Sequence, residues 1–314
     1  MFLSAPVDSA EPAKDVLAAI VRVRSDVPAD ARTAPTLGTE REGSGVVIDS
    51  GGLILTIGYL ILEAMGAEVG GPGGKPINAN IVGYDHNTGF GLLRATRPLG
   101  VTPMKFGKSS AVRERDEVLV ASHGGPDSVQ AAIVASRREF AGYWEYLLEN
   151  AIFTVPPHPN FGGAALIGRD GRLLGIGSLL VQDAVPGRDS IPGNMFVPID
   201  QLKPILADLM LKGRSAEPPR PWLGIFGRAV GGRILVLRVS PGGPADQAGL
   251  RSNDMIVGVA GEVVEGLADF YRKVWTRGRA GVEVPLNVLQ GTRVREVIVR
   301  SADRYRHLRL KPSY

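Results

Sequence analysis

The stretch from Thr154 to Leu180 constrains this chain more than any other. Its second half sets Leu166-Ile167 and Leu173 to Ile176 on either side of a polar Gly168-Arg-Asp-Gly171 turn, which is the pattern of a β-hairpin. Its first half, Pro159-Asn160-Phe161-Gly162-Gly163, is a tight loop whose glycines let the backbone turn sharply into the first strand. Composition extends this reading to the whole chain. With Gly 41 and Pro 23 among 314 residues, 44% of them apolar, turns are frequent and a mostly β architecture is favoured over a helical bundle. At this length two domains are expected.

Several function classes are excluded early. There is no cysteine, hence no disulfide framework, thiol nucleophile or thiolate metal site. The net charge of +4 is modest, and the 28 arginines among 36 basic residues are spread along the chain, so no nucleic-acid partner is expected. The longest apolar runs, such as Asp15 to Val23 and Leu53 to Met65, are too short or too broken to span a bilayer. Met1 to Lys14 lacks a basic segment followed by an apolar one, so no signal peptide is visible and the chain as written reads as cytoplasmic. His86, His123, His158 and His307 have no partners at helix or hairpin spacing, so neither a metal nor a cofactor is expected.

In chain order, residues 1–13 read as a flexible leader. Val21-Arg22-Val23-Arg24 alternates as a half-buried strand. Gly43 to Thr56 holds two β-branched runs around Asp49-Ser-Gly-Gly52, a hairpin by turn chemistry. Asp85 and Asp170 read as turn formers, and Glu117 to Ala121 as a strand. Asp200 is expected to cap a helix through Leu202, Ile205, Leu206, Leu209 and Met210. Residues 213–221, with three prolines in the last four, form a linker between a domain at 14–212 and a second at 222–301. Residues 302–314 are a basic C-terminal extension, expected to pack on the second domain with its arginines in water.

These motifs, in this order, resemble the HtrA (DegP-type) branch of the trypsin-like serine proteases. There Gly-Ser-Gly and an Ile-Leu-Thr strand lead to Asn-x-His, then come Gly-x-Asp-x-x-Thr-Asp-Leu-Ala-Leu-Leu and Gly-Asn-Ser-Gly-Gly. The resemblance implies a double six-stranded β-barrel followed by a PDZ domain, a site in the periplasm or cell envelope, and a chain able to form homo-oligomers. The matching positions here are Tyr59 for the general base, Gly89 for the orienting carboxylate and Phe161 for the nucleophile. Pro159 stands where the family uses a backbone N–H for the oxyanion, in the loop with Asn160, Gly162 and Gly163. A phenyl ring is no nucleophile, a phenol titrating near pH 10 is a poor base, and glycine has no carboxylate. His158, flanked by two prolines, reads as a loop side chain and not as a relocated base. Phe161 and Tyr59, which the resemblance sets across one cleft, are expected to pack together and plug it.

From Trp222-Leu223-Gly224-Ile225 through Ser240-Pro-Gly-Gly-Pro-Ala-Asp-Gln-Ala-Gly-Leu250 and a helix from about Leu267 to Thr276, the chain resembles an HtrA-type PDZ domain. Such a loop offers backbone N–H groups to a peptide carboxylate, beside a strand edge and a helix that accept the peptide as an added strand. Phe270 and Val274 are candidates for the apolar wall of that groove and, equally, for plain core. Asn253, where the family has glycine, is expected to take a left-handed φ. The reading as a whole is a pseudoprotease that binds peptide or protein C-termini, with a regulatory, scaffold or chaperone-like role in protein quality control. Its rival is an active serine endopeptidase with displaced catalytic residues.

Overall fold

The computed structural model describes residues 15–70, 75–187 and 190–308. The expected leader at 1–13 and the end of the C-terminal extension, 309–314, lie outside the described residues. The chain divides into two compact units.

In the first unit, β1 (Ile20–Asp26), β2 (Glu40–Val47), β3 (Leu53–Ile57), β4 (Gly66–Gly70), β5 (Pro76–Tyr84) and β6 (Phe90–Ala95) close into a barrel. Its strand order is β1-β2-β3-β6-β5-β4. β7 (Glu117–Ala121), β8 (Val129–Gly142), β9 (Tyr146–Val155), β10 (Ala165–Ile167), β11 (Leu173–Val181) and β12 (Gly193–Pro198) close into a second, in the order β10-β11-β12-β9-β8-β7. Read from its other end, the second order repeats the first, so one topology is used twice, as the trypsin-like double barrel requires. Closure leaves neither sheet an edge. The alternation expected in β1 is present, with Val21 and Val23 buried and Arg24 exposed. The Asp49–Gly52 turn joins β2 to β3, and the Gly168–Gly171 turn joins β10 to β11.

The loop at 159–163 is seated by backbone contacts. The Ser44 N–H of β2 donates to the Gly162 carbonyl at 2.8 Å, and the Gly163 N–H donates to the Gly177 carbonyl of β11 at 2.9 Å. Gly163 has φ +75°, and a Cβ there would sit 1.9 Å from the Ser44 carbonyl oxygen. No other residue fits this position.

Asp200 does not cap a helix. Residues 199–201 form a 3₁₀ turn, and α1 (Leu206–Lys212) starts later, behind Ile205. The Asp200 carboxylate instead accepts the Ser110 N–H at 2.7 Å and pairs with Lys203. A partner ninety positions away in sequence won the side chain that a local cap would have used.

The second unit holds β13 (Ile225–Val230), β14 (Arg233–Val239), β15 (Met255–Val259), β16 (Glu262–Val263), β17 (Glu283–Gln290) and β18 (Arg293–Arg300). The sheet runs β13-β14-β15-β17-β18, with β16 on β15, so β13 is an edge strand. α2 (Leu267–Trp275) turns Phe270, Tyr271 and Val274 into the core. Asn253 takes φ +73°, as its place in the turn demands. This is a PDZ domain. The second unit also takes Glu139–Glu149, the end of β8, its turn and the start of β9.

Gly163→Ala is expected to destabilise the first unit by about 2–5 kcal/mol, from the left-handed φ and the backbone overlap together. Denaturant unfolding followed by far-UV circular dichroism checks this.

Candidate functional site

Two places could carry function: the cleft around the 159–163 loop, and the loop that opens β13. In the first, Tyr59 sits in a 3₁₀ turn, Gly58–Leu60, directly after β3. Arg41 holds that turn, its Nη1 donating at 2.8 Å to the carbonyls of both Tyr59 and Leu62. The Tyr59 hydroxyl donates to the Ser178 carbonyl at 3.0 Å. It lies so close to the loop that a Cβ on Gly162 would be 2.9 Å from it. Desolvation pushes the phenol's pKa up from its ordinary value, so it holds its proton more firmly than free tyrosine.

Phe161 and Tyr59 do not form the expected aromatic plug. Among the described residues, the ring pairs include neither of them. The Tyr59 hydroxyl is instead committed to the Ser178 carbonyl, an acceptor that a ring-on-ring contact would not provide. Phe161 itself is only partly buried.

Gly89 has φ +83° and contributes its carbonyl, which accepts the Gly58 N–H at 2.7 Å. The nearby carboxylate, Asp85, is committed to the Thr88 N–H at 2.7 Å and the Thr88 hydroxyl at 2.8 Å, a turn former as expected. No carboxylate is offered at position 89. At Pro159 there is no N–H, and the next N–H, of Asn160, donates to His158 Nδ1 at 3.1 Å.

His158 is buried and its ring is fully used. Nδ1 accepts from Asn160, and Nε2 lies 3.2 Å from the Ser128 carbonyl, which requires the proton on Nε2. Its backbone is clamped to Asn194, the His158 N–H meeting Oδ1 at 2.6 Å. Burial lowers its pKa, although the Ser128 carbonyl pulls the other way. It is a structural pin for the loop, with no free nitrogen to act as a base.

One serine, histidine and carboxylate do line up. Ser44 Oγ is 3.1 Å from His123 Nδ1, and His123 Nε2 is 3.6 Å from Glu42 Oε1. The Ser44 side chain also accepts the His123 N–H at 3.0 Å, and Ser44 is completely buried. A hydroxyl no substrate can reach is not a nucleophile. These contacts tie β2 to the end of β7.

The second place is the Trp222–Ile225 loop. Three of its N–H groups point to one acceptor: Leu223 donates to Glu145 Oε2 at 2.9 Å, and Gly224 and Ile225 donate to Oε1 at 2.6 and 2.7 Å. Burial raises the Glu145 pKa, while the three N–H donors and the charge of Arg304 oppose that shift. Arg304 thus faces a carboxylate, which corrects the expectation that the arginines of the extension all lie in water. Trp222 packs its ring 4.5 Å from that of His307 and bonds Ala302 through the backbone. Phe270 and Val274 are buried: each is 1% exposed and lies in one apolar cluster with Leu147.

Glu145 and Tyr271 were not among the sequence candidates. The one signal was aromatic density. With three Trp, seven Tyr and nine Phe in the chain, four fall between Phe140 and Tyr146. Among the described residues, no group of three or more His, Cys, Asp or Glu is placed to hold a metal, and no helix is long and apolar enough to cross a membrane.

Comparison with known proteins agrees with this anatomy. Residues 43–176 match the trypsin-like peptidase domain family, and residues 221–300 match the PDZ domain family. The chain is 24% identical over 276 residues to a protein named serine protease Do-like HtrA of Bacillus subtilis, covering 79% of this chain and 60% of that one. It is 27% identical over 297 residues to a probable periplasmic serine endoprotease DegP-like of Brucella suis, covering 89% and 56%. It thus spans about three fifths of the length of these relatives. A crystal structure of the serine endoprotease from Yersinia pestis superposes with a TM-score of 0.55 at 22% identity, covering 96% of this chain and 99% of that one.

The His158 environment sets a pH dependence. Its folded pKa lies below the ordinary value of 6.5, so the unfolded chain binds the extra proton first as pH falls. Stability is full above about pH 6.5 and is lost below it, by at most about 1.4 kcal/mol per pH unit. Denaturant midpoints measured from pH 7.5 to 5.5 should show this slope, and His158→Gln should reduce it, leaving the part that His123, whose pKa burial also lowers, contributes with the same sign.

Proposed function

We propose that this chain is a non-proteolytic relative of the HtrA-type proteases, and that its working part is the PDZ domain, which binds peptide or protein C-termini. The observation that carries the reading is a set of coincident losses in a loop that is otherwise kept. Acyl transfer needs a hydroxyl, a base in reach of it, an orienting carboxylate and donors for the oxyanion. At those positions stand Phe161, the Tyr59 phenol that already donates to Ser178, Gly89 and the N–H-less Pro159. His158 and the Ser44–His123–Glu42 line do not replace them, the one for want of a free nitrogen and the other for want of access.

The PDZ half keeps what peptide capture needs: three convergent N–H groups, the edge strand β13 and the helix α2 beside it. A binder without protease chemistry fits a regulatory, scaffold or chaperone-like role in protein quality control. Assembly into a homo-oligomer, and a periplasmic setting like that in the name of the Brucella suis relative, are part of the same proposal. The competing reading, an active endopeptidase, takes its support from the names of the curated relatives.

A fluorophosphonate probe separates the two: the purified protein should remain unlabelled and casein intact, and stoichiometric labelling would overturn the reading. Phe161→Ser alone should give no turnover. Phe161→Ser with Tyr59→His and Gly89→Asp should still lag an intact protease by about 10²–10³, the usual cost of one missing oxyanion donor.

A further inference from the structure

The three N–H groups of the Trp222–Ile225 loop are the place where a PDZ domain takes a carboxylate, and Glu145 already supplies one. The contact extends beyond the side chain. Two residues before Glu145, the Tyr143 carbonyl accepts the Gly227 N–H of the edge strand β13 at 2.9 Å, the bond an added strand would make. On the helix side, the Tyr271 hydroxyl donates to the Gly142 carbonyl at 2.7 Å and accepts the Glu145 N–H at 3.2 Å. Arg272 of the same helix pairs with Glu139. Leu147 and Ala141 join the apolar cluster that holds Phe270, Tyr271 and Val274. Carboxylate, strand bond and apolar side chain are the three things a bound C-terminus provides.

The turn itself argues that Glu145 is there for the loop. Residues 143–145 connect β8 to β9, and Glu145 closes that connection at φ +56°. A three-residue hairpin connection wants a left-handed residue at its end, and glycine is the residue that adopts it freely. A glutamate there strains the hairpin, and its return is the set of bonds to Leu223, Gly224 and Ile225.

We propose that Glu139–Glu149 is an internal ligand of the PDZ groove, the Glu145 carboxylate standing in for a peptide's terminal carboxylate, so that an incoming C-terminus binds only by displacing it. The proposal rests on the peptide-binding reading above and adds its regulation. A tethered ligand competes at a high effective concentration, and the affinity for any free peptide falls by the fraction of molecules whose groove is open.

The test uses the full chain and a fluorescent peptide, Phe-Ala-Gly-Tyr-Trp-Leu with a free carboxylate, together with its C-terminally amidated twin. Glu145→Gly suits the turn and removes the carboxylate. It should bind the free-acid peptide at least about tenfold more tightly than the parent, discriminate against the amide, and show faster hydrogen exchange at the Leu223, Gly224 and Ile225 amides. If Glu145→Gly does not fold, Tyr271→Phe removes both turn bonds while leaving the loop intact, and should raise affinity at least about threefold. Equal, carboxylate-dependent binding by parent and variants would overturn the internal ligand and leave the peptide-binding reading standing. Freely exchanging amides in a folded Glu145→Gly that binds neither peptide would overturn both. Unchanged exchange at the three amides would overturn the internal ligand, whatever binds.

Discussion

The backbone contact between the Gly162–Gly163 loop and Ser44 is the constraint on which the first unit depends. It joins a loop that precedes β10 of one barrel to β2 of the other, through a 2.8 Å N–H to carbonyl bond and a close approach that only glycine permits. Neither contact involves the side chains at 159, 160 or 161. These two contacts are made by backbone alone, so they do not depend on the side chain carried at 161. Close packing punishes a change at Gly163 and tolerates one at the partly buried Phe161.

Around that seat, polar groups have been turned to structural use. The Tyr59 hydroxyl serves the Ser178 carbonyl, the Asp85 carboxylate serves Thr88, and both nitrogens of His158 serve backbone groups. Each is a satisfied hydrogen-bond partner. A group that is to act on a substrate must have a lone pair or a proton left to offer it. Here the named partners are already taken.

The second unit is organised by a single buried carboxylate. Three N–H groups that no strand or helix satisfies converge on Glu145, and the charge is further balanced by Arg304. Left without a partner, buried N–H groups cost roughly 1–3 kcal/mol each, so the loop requires an acceptor whenever it is covered. Whether that acceptor is a side chain of the chain or the end of a peptide is a question of competition for one set of donors.

Local chemistry made much of this legible in advance. The turns at Asp49–Gly52 and Gly168–Gly171, the alternation of Val21 and Val23, the left-handed Asn253 and the helix at Leu267–Trp275 follow from backbone preference and period, which act over a few residues. The residue types at 59, 89 and 161 were legible for the same reason, since sequence alone decides whether a hydroxyl, an imidazole or a carboxylate exists there. What only the tertiary structure decided was partnership: Tyr59 bonded to Ser178 instead of stacked on Phe161, Asp200 claimed by Ser110 instead of capping a helix, Phe270 and Val274 buried beside Leu147. Glu145 is the clearest case, because its three donors lie 78 to 80 positions away. A side chain's identity is written in the sequence, but the group it meets depends on packing, and hydrogen-bond direction and burial are set only once distant segments share one core.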